Sequence, residues 1–460
     1  MNLAKRWEVL DLQSESILIW EEDGYWQTGC VCLVMEGRCE YDALDRALFD
    51  AMDAEPKFHG RLKPAVLRGR HVMVWDFADH RPRLEVYDHT DEPMPEDING
   101  CFHQLMEPLI AGKIDLTREL PIRFQMHRLP GDVHLFMYVF HHVVADAARI
   151  FEFLREAFIG YHQAVKGAPP EWRDTSAIHA VAGKKQLAMP SKLSYYRELI
   201  GNLRKYPLNK ATVLDGDGAD HPGRIAVHRE ITDEKLMTAL RKRAKAAGGG
   251  LSDLIIAAGN LAIDEWNDAR GVASDIFLSG LAVNQRGRRA DEEIADICNP
   301  MGLLPIVNKR SERTSSEAVL ADIVSKRVDG LSRGLDVLLM RDVHRIMRVA
   351  QFMPFERRQK LLHPLLALPT SFFLSNAGII WPEIKNGRFT GDSAIREVGD
   401  LEITDIHLSL GGVRTTPMGT VTQTFRKKFY FEYVADLSQM SRANVEEFHE
   451  LIMRKLTDFL

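Results

Sequence analysis

Phe140-His141-His142-Val143-Val144-Ala145-Asp146-Ala147 is the stretch whose reading decides the fold. Upstream of it the chain has a period of two. Ile122, Phe124 and Met126 alternate with polar residues, Leu129-Pro130-Gly131-Asp132 is turn chemistry, and Val133–Phe140 is an apolar strand. Downstream the period becomes 3.6. Ala147, Ile150, Phe151, Leu154, Phe158 and Tyr161 share one helix face, and Gly167-Ala168-Pro169-Pro170 stops it. The octet therefore lies where a strand ends and a helix begins. Such a junction exposes side chains at a sheet edge while the scaffold holds them rigidly.

Two adjacent histidines at that junction admit three readings. A neutral imidazole can take a proton from a hydroxyl or amine attacking a carbonyl, and its ordinary pKa suits that work near neutrality. Metal binding is disfavoured. Neighbouring residues on a strand point to opposite faces, so His141 and His142 do not readily share one ion, and no HExxH helix is present. The third reading is two hydrogen-bonded histidines beside a core. Local pattern leaves the first and third open.

Working outward, the N-terminal third predicts short strands at Ile17–Trp20, Thr28–Met35, His71–Phe77 and Leu84–Tyr87, and a helix over Tyr41–Met52. Residues 168–225 carry Pro169, Pro170, Pro190, Pro207 and Pro222 and the run Asp215-Gly216-Asp217-Gly218; they predict a connection with one helix near Lys192–Arg204. Beyond it, Thr232 is placed to cap a helix through Ala246, and Ser252 to cap a second. Ile276–Val283 reads as a buried strand, with helices at Ser315–Leu331 and Leu335–Phe352. Strands at Ser371–Leu374, Thr404–Ser409, Val421–Phe425 and Phe429–Tyr433 and a helix at Ser441–Asp458 follow. The expected fold is α/β (α+β) in two lobes: residues 1–170 as an N-terminal lobe, 171–225 as a linker with one helix, and 226–460 as a C-terminal lobe. A cleft between lobes is where small-molecule chemistry usually sits.

Composition excludes several classes. The 460 residues hold 59 basic and 65 acidic side chains, a net charge of -6, so no basic excess marks a nucleic-acid binder. Cys30, Cys32, Cys39, Cys101 and Cys298 are odd in number and irregularly spaced, which predicts buried thiols rather than a disulfide framework or zinc site. The first residues lack an apolar h-region, and no stretch approaches the ~18 apolar residues of a membrane span. A cytoplasmic monomer with no integral membrane segment is the expectation.

The remaining signals are less specific. Lys309-Arg310, Arg288-Arg289 and Arg357-Arg358-Gln359-Lys360 read as solvated charge runs, with a cationic grip on a phosphate as the alternative. Gly248-Gly249-Gly250 lacks the Lys-Ser/Thr of a phosphate loop, and Gly411-Gly412 reads as a plain loop. Ser375-Asn376-Ala377-Gly378 is either a strand-to-turn or a pocket wall in which Asn376 orients substrate and Gly378 permits close approach.

The segment His141-His142-Val143-Val144-Ala145-Asp146 resembles the HHxxxD motif of the chloramphenicol acetyltransferase-like superfamily. That superfamily includes condensation domains of nonribosomal peptide synthetases and wax ester synthases. The resemblance extends along the chain. Leu12-Gln13, Ile19-Trp20, Tyr41-Asp42-Ala43-Leu44, Pro56 to Leu62, Leu251-Ser252-Asp253, Asn284-Gln285-Arg286-Gly287-Arg288, Asn299-Pro300-Met301-Gly302 and Ser375 to Gly378 are similar to successive landmarks. It implies two lobes with an active-site tunnel at their interface. It implies His142 as the base, His141 supporting the loop, and Asp146 paired with Arg286 from the second lobe. Ala147, Asn284, Ser375, Asn376 and Gly378 become tunnel candidates.

Ala147 stands where the family usually has glycine, and its methyl group either narrows the donor path or marks lost activity. The implied reaction moves an acyl group from a thioester, acyl-CoA or carrier-protein phosphopantetheine, to an alcohol or amine. No bound metal or other cofactor is implied. The implied partner is an acyl or peptidyl carrier protein, with the chain itself free-standing. The alternative is a non-catalytic relative that binds a carrier protein or another partner.

Overall fold

The hairpin around Gly131 forms the centre of the first sheet. The computed structural model describes residues 7–460 apart from 22–24, 78–80, 94–97, 175–195, 197–210, 217–222, 287, 290–296, 313, 368, 386–387 and 413–414. Within it, Ile122–Leu129 and Val133–His141 pair antiparallel, with Ile122 opposite Phe140 and Leu129 opposite Val133. Gly131 makes the turn at φ 73°, a left-handed conformation open to a residue without Cβ. Thr28–Arg38 pairs on the other side, bringing Thr28 opposite His141. Every residue of Val133–His141 is buried. A strand covered on both faces has no polar side to alternate, which explains its continuous apolar run.

The complete first sheet runs Glu397–Val398, Asp400–Ser409, Thr28–Arg38, Val133–His141, Ile122–Leu129, Leu84–Asp88. Two of these strands come from late in the chain. Asp400–Ser409 lies antiparallel to Thr28–Arg38, with Asp400 opposite Arg38 and Ser409 opposite Cys30. The first lobe is therefore completed by chain that lies between two strands of the second sheet, Phe372–Ile379 and Met418–Phe425. The second sheet runs Met301–Lys309, Ile276–Asn284, Phe372–Ile379, Met418–Phe425, Lys428–Asp436, Arg224–Ile231.

Helices cover both sheets. Tyr41–Ala51 packs on Ala147–Lys166 in the first lobe, burying Leu44, Ala47 and Leu48 against Ile150, Leu154 and Phe158. Leu251–Ala269 is the central helix of the second lobe, contacting Glu234–Ala246, Ser316–Ser332 and Arg442–Thr457. Two large apolar cores result, one per lobe. No single helix among the described residues is long and apolar enough to cross a membrane. Cys30, Cys32, Cys39 and Cys298 are free thiols.

Several expectations need correction. Ile17–Trp20 is not a strand but the end of a helix, Leu12–Trp20, capped by the Asp11 carboxylate, which accepts the Ser14 N–H at 2.8 Å. Gln13 to Ile19 are all buried, polar residues included, so the helix leaves no apolar stripe to recognise. Asp233, not Thr232, caps Glu234–Ala246. Leu251–Ala269 starts from Gly250, whose N–H donates to the Asp253 carboxylate at 2.7 Å, so Ser252 is already helical.

Among the further elements not expected are helices Ile98–Ala111 and Phe355–Leu366 and strand Met301–Lys309. All three contain a proline, at positions Pro108, Pro364 and Pro305, and proline argues against an element interior. Met301–Lys309 tolerates its proline because it is the edge strand of its sheet. The helix expected near Lys192–Arg204, with most of the linker, lies outside the described residues.

Candidate active site

Strand Val133–His141 ends at the first histidine, and the chain then loops through residues 142–146 before the helix Ala147–Lys166. The alternation of the strand separates the two imidazoles. His141 is only 1% exposed. Its Nδ1 accepts the Val143 N–H at 3.2 Å, so the ring proton sits on Nε2 and is donated to Glu21 at 3.0 Å. Burial pushes the Glu21 carboxyl up, but His141, the Gln27 N–H and Lys113 outweigh it and hold the group below its ordinary value. The contact anchors the strand end to the segment that follows the Leu12–Trp20 helix.

His142 is held differently. Its backbone N–H donates to the Gln27 carbonyl at 2.7 Å, and its Nδ1 lies 2.9 Å from the Ala145 carbonyl. A carbonyl can only accept, so Nδ1 carries the proton and Nε2 carries the lone pair. Burial keeps the ring's pKa below the ordinary histidine value, against the opposing pull of the Ala145 carbonyl and Asp146. A neutral imidazole with one defined lone pair is the form a proton acceptor needs.

Asp146 caps the helix, its Oδ1 accepting the Arg149 N–H at 2.9 Å. The same carboxylate is bound by both terminal nitrogens of Arg286, one to each oxygen, with Nη2 to Oδ1 at 3.1 Å. Asn284 does not face substrate space here. Its Oδ1 accepts the Arg286 N–H at 2.9 Å and so shapes the turn that delivers the guanidinium.

A cavity of about 120 Å³ opens beside His142, walled by Trp20, Gln27, Met301, Phe373 and Ser375 together with Thr420. Its strand residues come from the second sheet, while Gln27, His142 and Leu410 reach it from just beyond the ends of first-sheet strands. Gly411 and Gly412, expected to be a plain loop, also border it. A separate and larger cavity of about 520 Å³ meets His141 and Glu21 instead, near Leu62, Lys113 and Phe355. Ser375 thus reaches the His142 cavity. Ala147, Asn376 and Gly378 do not line it. Asn376 is turned the other way, donating to Ser252 Oγ at 2.8 Å and accepting the Gly378 N–H at 2.8 Å across a β-bulge. The one-residue offset from Ser375 sends it to the opposite face. Gly378 takes φ 74° to make that bulge.

Two residues in the site are only landmarks in the sequence. Asn299 is fully buried; its amide nitrogen donates to the His142 carbonyl at 3.2 Å and stands 3.5 Å from the ring's Nε2. Gln13 donates to the Asn299 carbonyl at 2.7 Å, and also to the Met301 carbonyl. Glu21 carries no signal in the sequence. Its partner is a histidine far away in sequence, so no local spacing could reveal it.

The charge runs need correction at Arg358 and Arg288 only, since Arg310, Arg357 and Lys360 are exposed. Arg358, expected on a solvated face, is fully buried and paired with Glu15, itself 1% exposed. Arg288 donates to the buried Asp336 at 2.9 and 3.0 Å. Arg310 is exposed, as expected, and pairs with Asp264 and Asp268.

Residues 21–284 match the family model described as condensation domain. The chain belongs to the condensation-domain family. An uncharacterised protein of Mycobacterium tuberculosis is 28% identical over 295 residues, 62% of this chain and 63% of that relative, so the likeness spans less than two thirds of the relative's length. Among solved structures, the first condensation domain of the calcium-dependent antibiotic synthetase superposes with a TM-score of 0.68 at 17% identity, covering 100% of this chain and 97% of that one. Trichothecene 15-O-acetyltransferase from Fusarium sporotrichioides gives 0.67 at 14% identity, covering 99% and 95%. At such identities these two share the fold with this condensation-family chain, which is two-lobed and of the chloramphenicol acetyltransferase type.

Proposed function

We propose that the chain is an acyltransferase that moves an acyl group from a thioester to an alcohol or amine, with His142 as general base. The observation that carries the reading is the Nδ1–Ala145 hydrogen bond, which leaves a neutral, lone-pair Nε2 on a residue bordering a cavity. The acceptor's O–H or N–H gives its proton to Nε2 as the heteroatom attacks the thioester carbonyl. The carbon–sulfur bond then breaks, and the imidazolium returns the proton to the thiolate. The products are an ester or amide and a free thiol. A positioned base contributes roughly 10²–10⁴ in rate.

Membership of the condensation family supports a thioester donor carried on phosphopantetheine; an acyl-CoA has the same reacting end. The space beside His142 is small, about 120 Å³, so it fits the reacting ends of two substrates rather than their whole length. The surrounding walls are largely apolar, which suits an acyl chain. No step requires a metal or redox cofactor bound at His142. A carrier protein is the proposed partner, and the cytoplasm, where CoA esters and carrier proteins occur, the proposed compartment.

The test is turnover of the purified protein with matched acyl-CoA and acyl-carrier donors against a panel of alcohols and amines. Products are identified by mass spectrometry. An acyl ester or amide formed together with free thiol supports the reading. Donor hydrolysis alone, or no consumption across the panel, contradicts it.

A further inference from the structure

Away from His142, the strands of the two sheets bring a second group of imidazoles together. His228 lies on Arg224–Ile231 directly opposite Glu432 of Lys428–Asp436. Asp405 and His407 lie on Asp400–Ser409, two residues apart and so on one strand face. A bulge between Ile403 and Asp405 precedes them. Such bulges re-aim side chains. One ligand atom from each of His228, Asp405 and His407 falls within 4.8 Å of the others.

The chemistry of each member suits a cation. His228 is 5% exposed, and its Nδ1 bonds Glu432 Oε1 at 2.8 Å. Its Nε2 is buried with no hydrogen-bond partner. A histidine whose one nitrogen donates to a carboxylate while the other stays free is the usual preparation for metal ligation. His407 is fully buried, its ring 4.0 Å from that of His228, centroid to centroid. Asp405, only partly buried, supplies negative charge and an entry path.

We propose that His228, Asp405 and His407 form a structural binding site for a zinc-like divalent cation that fastens the two sheets together, with Glu432 orienting His228. Two imidazoles and a carboxylate match the donor preferences of zinc. Tetrahedral ligation at about 2.0–2.1 Å places ligand atoms roughly 3.4 Å apart, so a closure of at most about 1.4 Å completes the site. The fourth position falls to water or to a Glu432 oxygen. Glu432 already ties the sheets, accepting the Leu408 N–H at 3.3 Å and a Gln423 amide N–H at 3.3 Å. The ligands come from strands remote in sequence, which is why no spacing motif announces them. The site is independent of any acyl transfer at His142.

The test uses the full chain, stripped with a chelator and titrated with Zn²⁺, then with Co²⁺ as a spectroscopic probe. Expected are one Zn²⁺ per chain surviving desalting, a raised thermal midpoint, and a tetrahedral Co²⁺ absorption band. Asp405→Asn, at a partly exposed position that should not disturb folding, and His407→Gln should abolish all three. Glu432→Gln should weaken binding about 10–100-fold, and His142→Ala should leave it unchanged. Substoichiometric zinc in the wild type, or equal zinc in wild type and Asp405→Asn, overturns the proposal. So does zinc lost in His142→Ala but kept in His407→Gln.

Discussion

Arg286 binds both carboxylate oxygens of Asp146, the residue that caps the helix starting just beyond His142. The pair joins the second lobe to the loop carrying the proposed base. Arg286 remains about a third exposed, so its share is that of a charged hydrogen-bonded contact, about 1.5–3 kcal/mol, rather than of a sealed ion pair. Asp146→Ala removes the cap as well, a further cost of about 1 kcal/mol. Urea denaturation should therefore rank Asp146→Ala below Arg286→Ala, with Asp146→Asn between wild type and Asp146→Ala. Equal stability in all variants would show that the contact does not hold the loop.

Asn299 and Gln13 form a relay onto the His142 backbone. The Asn299 amide also stands 3.5 Å from Nε2, but neither residue accepts or gives the transferred proton, so both are positioning residues. Losing one such hydrogen bond costs about 0.5–1.5 kcal/mol. Asn299→Ala should lower kcat about 2–10-fold with little change in KM, and shift the acid limb of the kcat/KM profile. An unchanged profile with a raised KM would place Asn299 against substrate instead.

Glu15 and Arg358 are both buried, and Arg358 also donates to the His71 carbonyl at 2.9 Å. Removing either partner leaves a charge in the interior, which costs about 3–5 kcal/mol. Arg358→Ala should be among the most destabilising substitutions in denaturant titration. Loss below about 1 kcal/mol, the range of surface pairs, would mean that the pair is hydrated.

His449 is buried with its Nδ1 2.9 Å from the Tyr433 hydroxyl, and burial, assisted by Arg229, lowers its pKa from 6.5 to about 4. The unfolded chain takes up this proton more readily. The contribution to stability is thus full above pH 6.5 and is lost as pH falls toward 4. Between pH 7 and pH 5 wild type should lose about 2 kcal/mol more than His449→Gln does. Parallel stability curves for the two proteins would contradict this.

Much of this architecture is legible from local patterns. The change of period at Asp146 marks the strand–helix junction, and the turn chemistry at Gly131 marks the central hairpin. What local pattern misses shares one cause. Leu12–Trp20 is buried on every side because Gln13 and Glu15 find partners on distant segments, so its helical stripe vanishes. Arg358 looks solvated until Glu15 is brought to it. Asp400–Ser409 belongs to the first sheet because of long-range pairing with Thr28–Arg38, not because of its own composition. At the site, His141, His142, Asp146 and Arg286 are singled out by the resemblance to the HHxxxD motif and its later landmarks, not by local pattern. Glu21 and the role of Asn299 emerge only from the fold, and Asn376 is misread because one residue of strand register reverses its face.

The most direct measurement is the rate of free-thiol release in the presence of acceptor, for wild type and His142→Ala at matched folded concentration, with a donor that wild type turns over. The account expects a fall of about 10²–10⁴ in the variant, with the wild-type rate rising with pH to a plateau whose midpoint lies below the ordinary histidine value. An unchanged rate in His142→Ala would remove the imidazole from the chemistry.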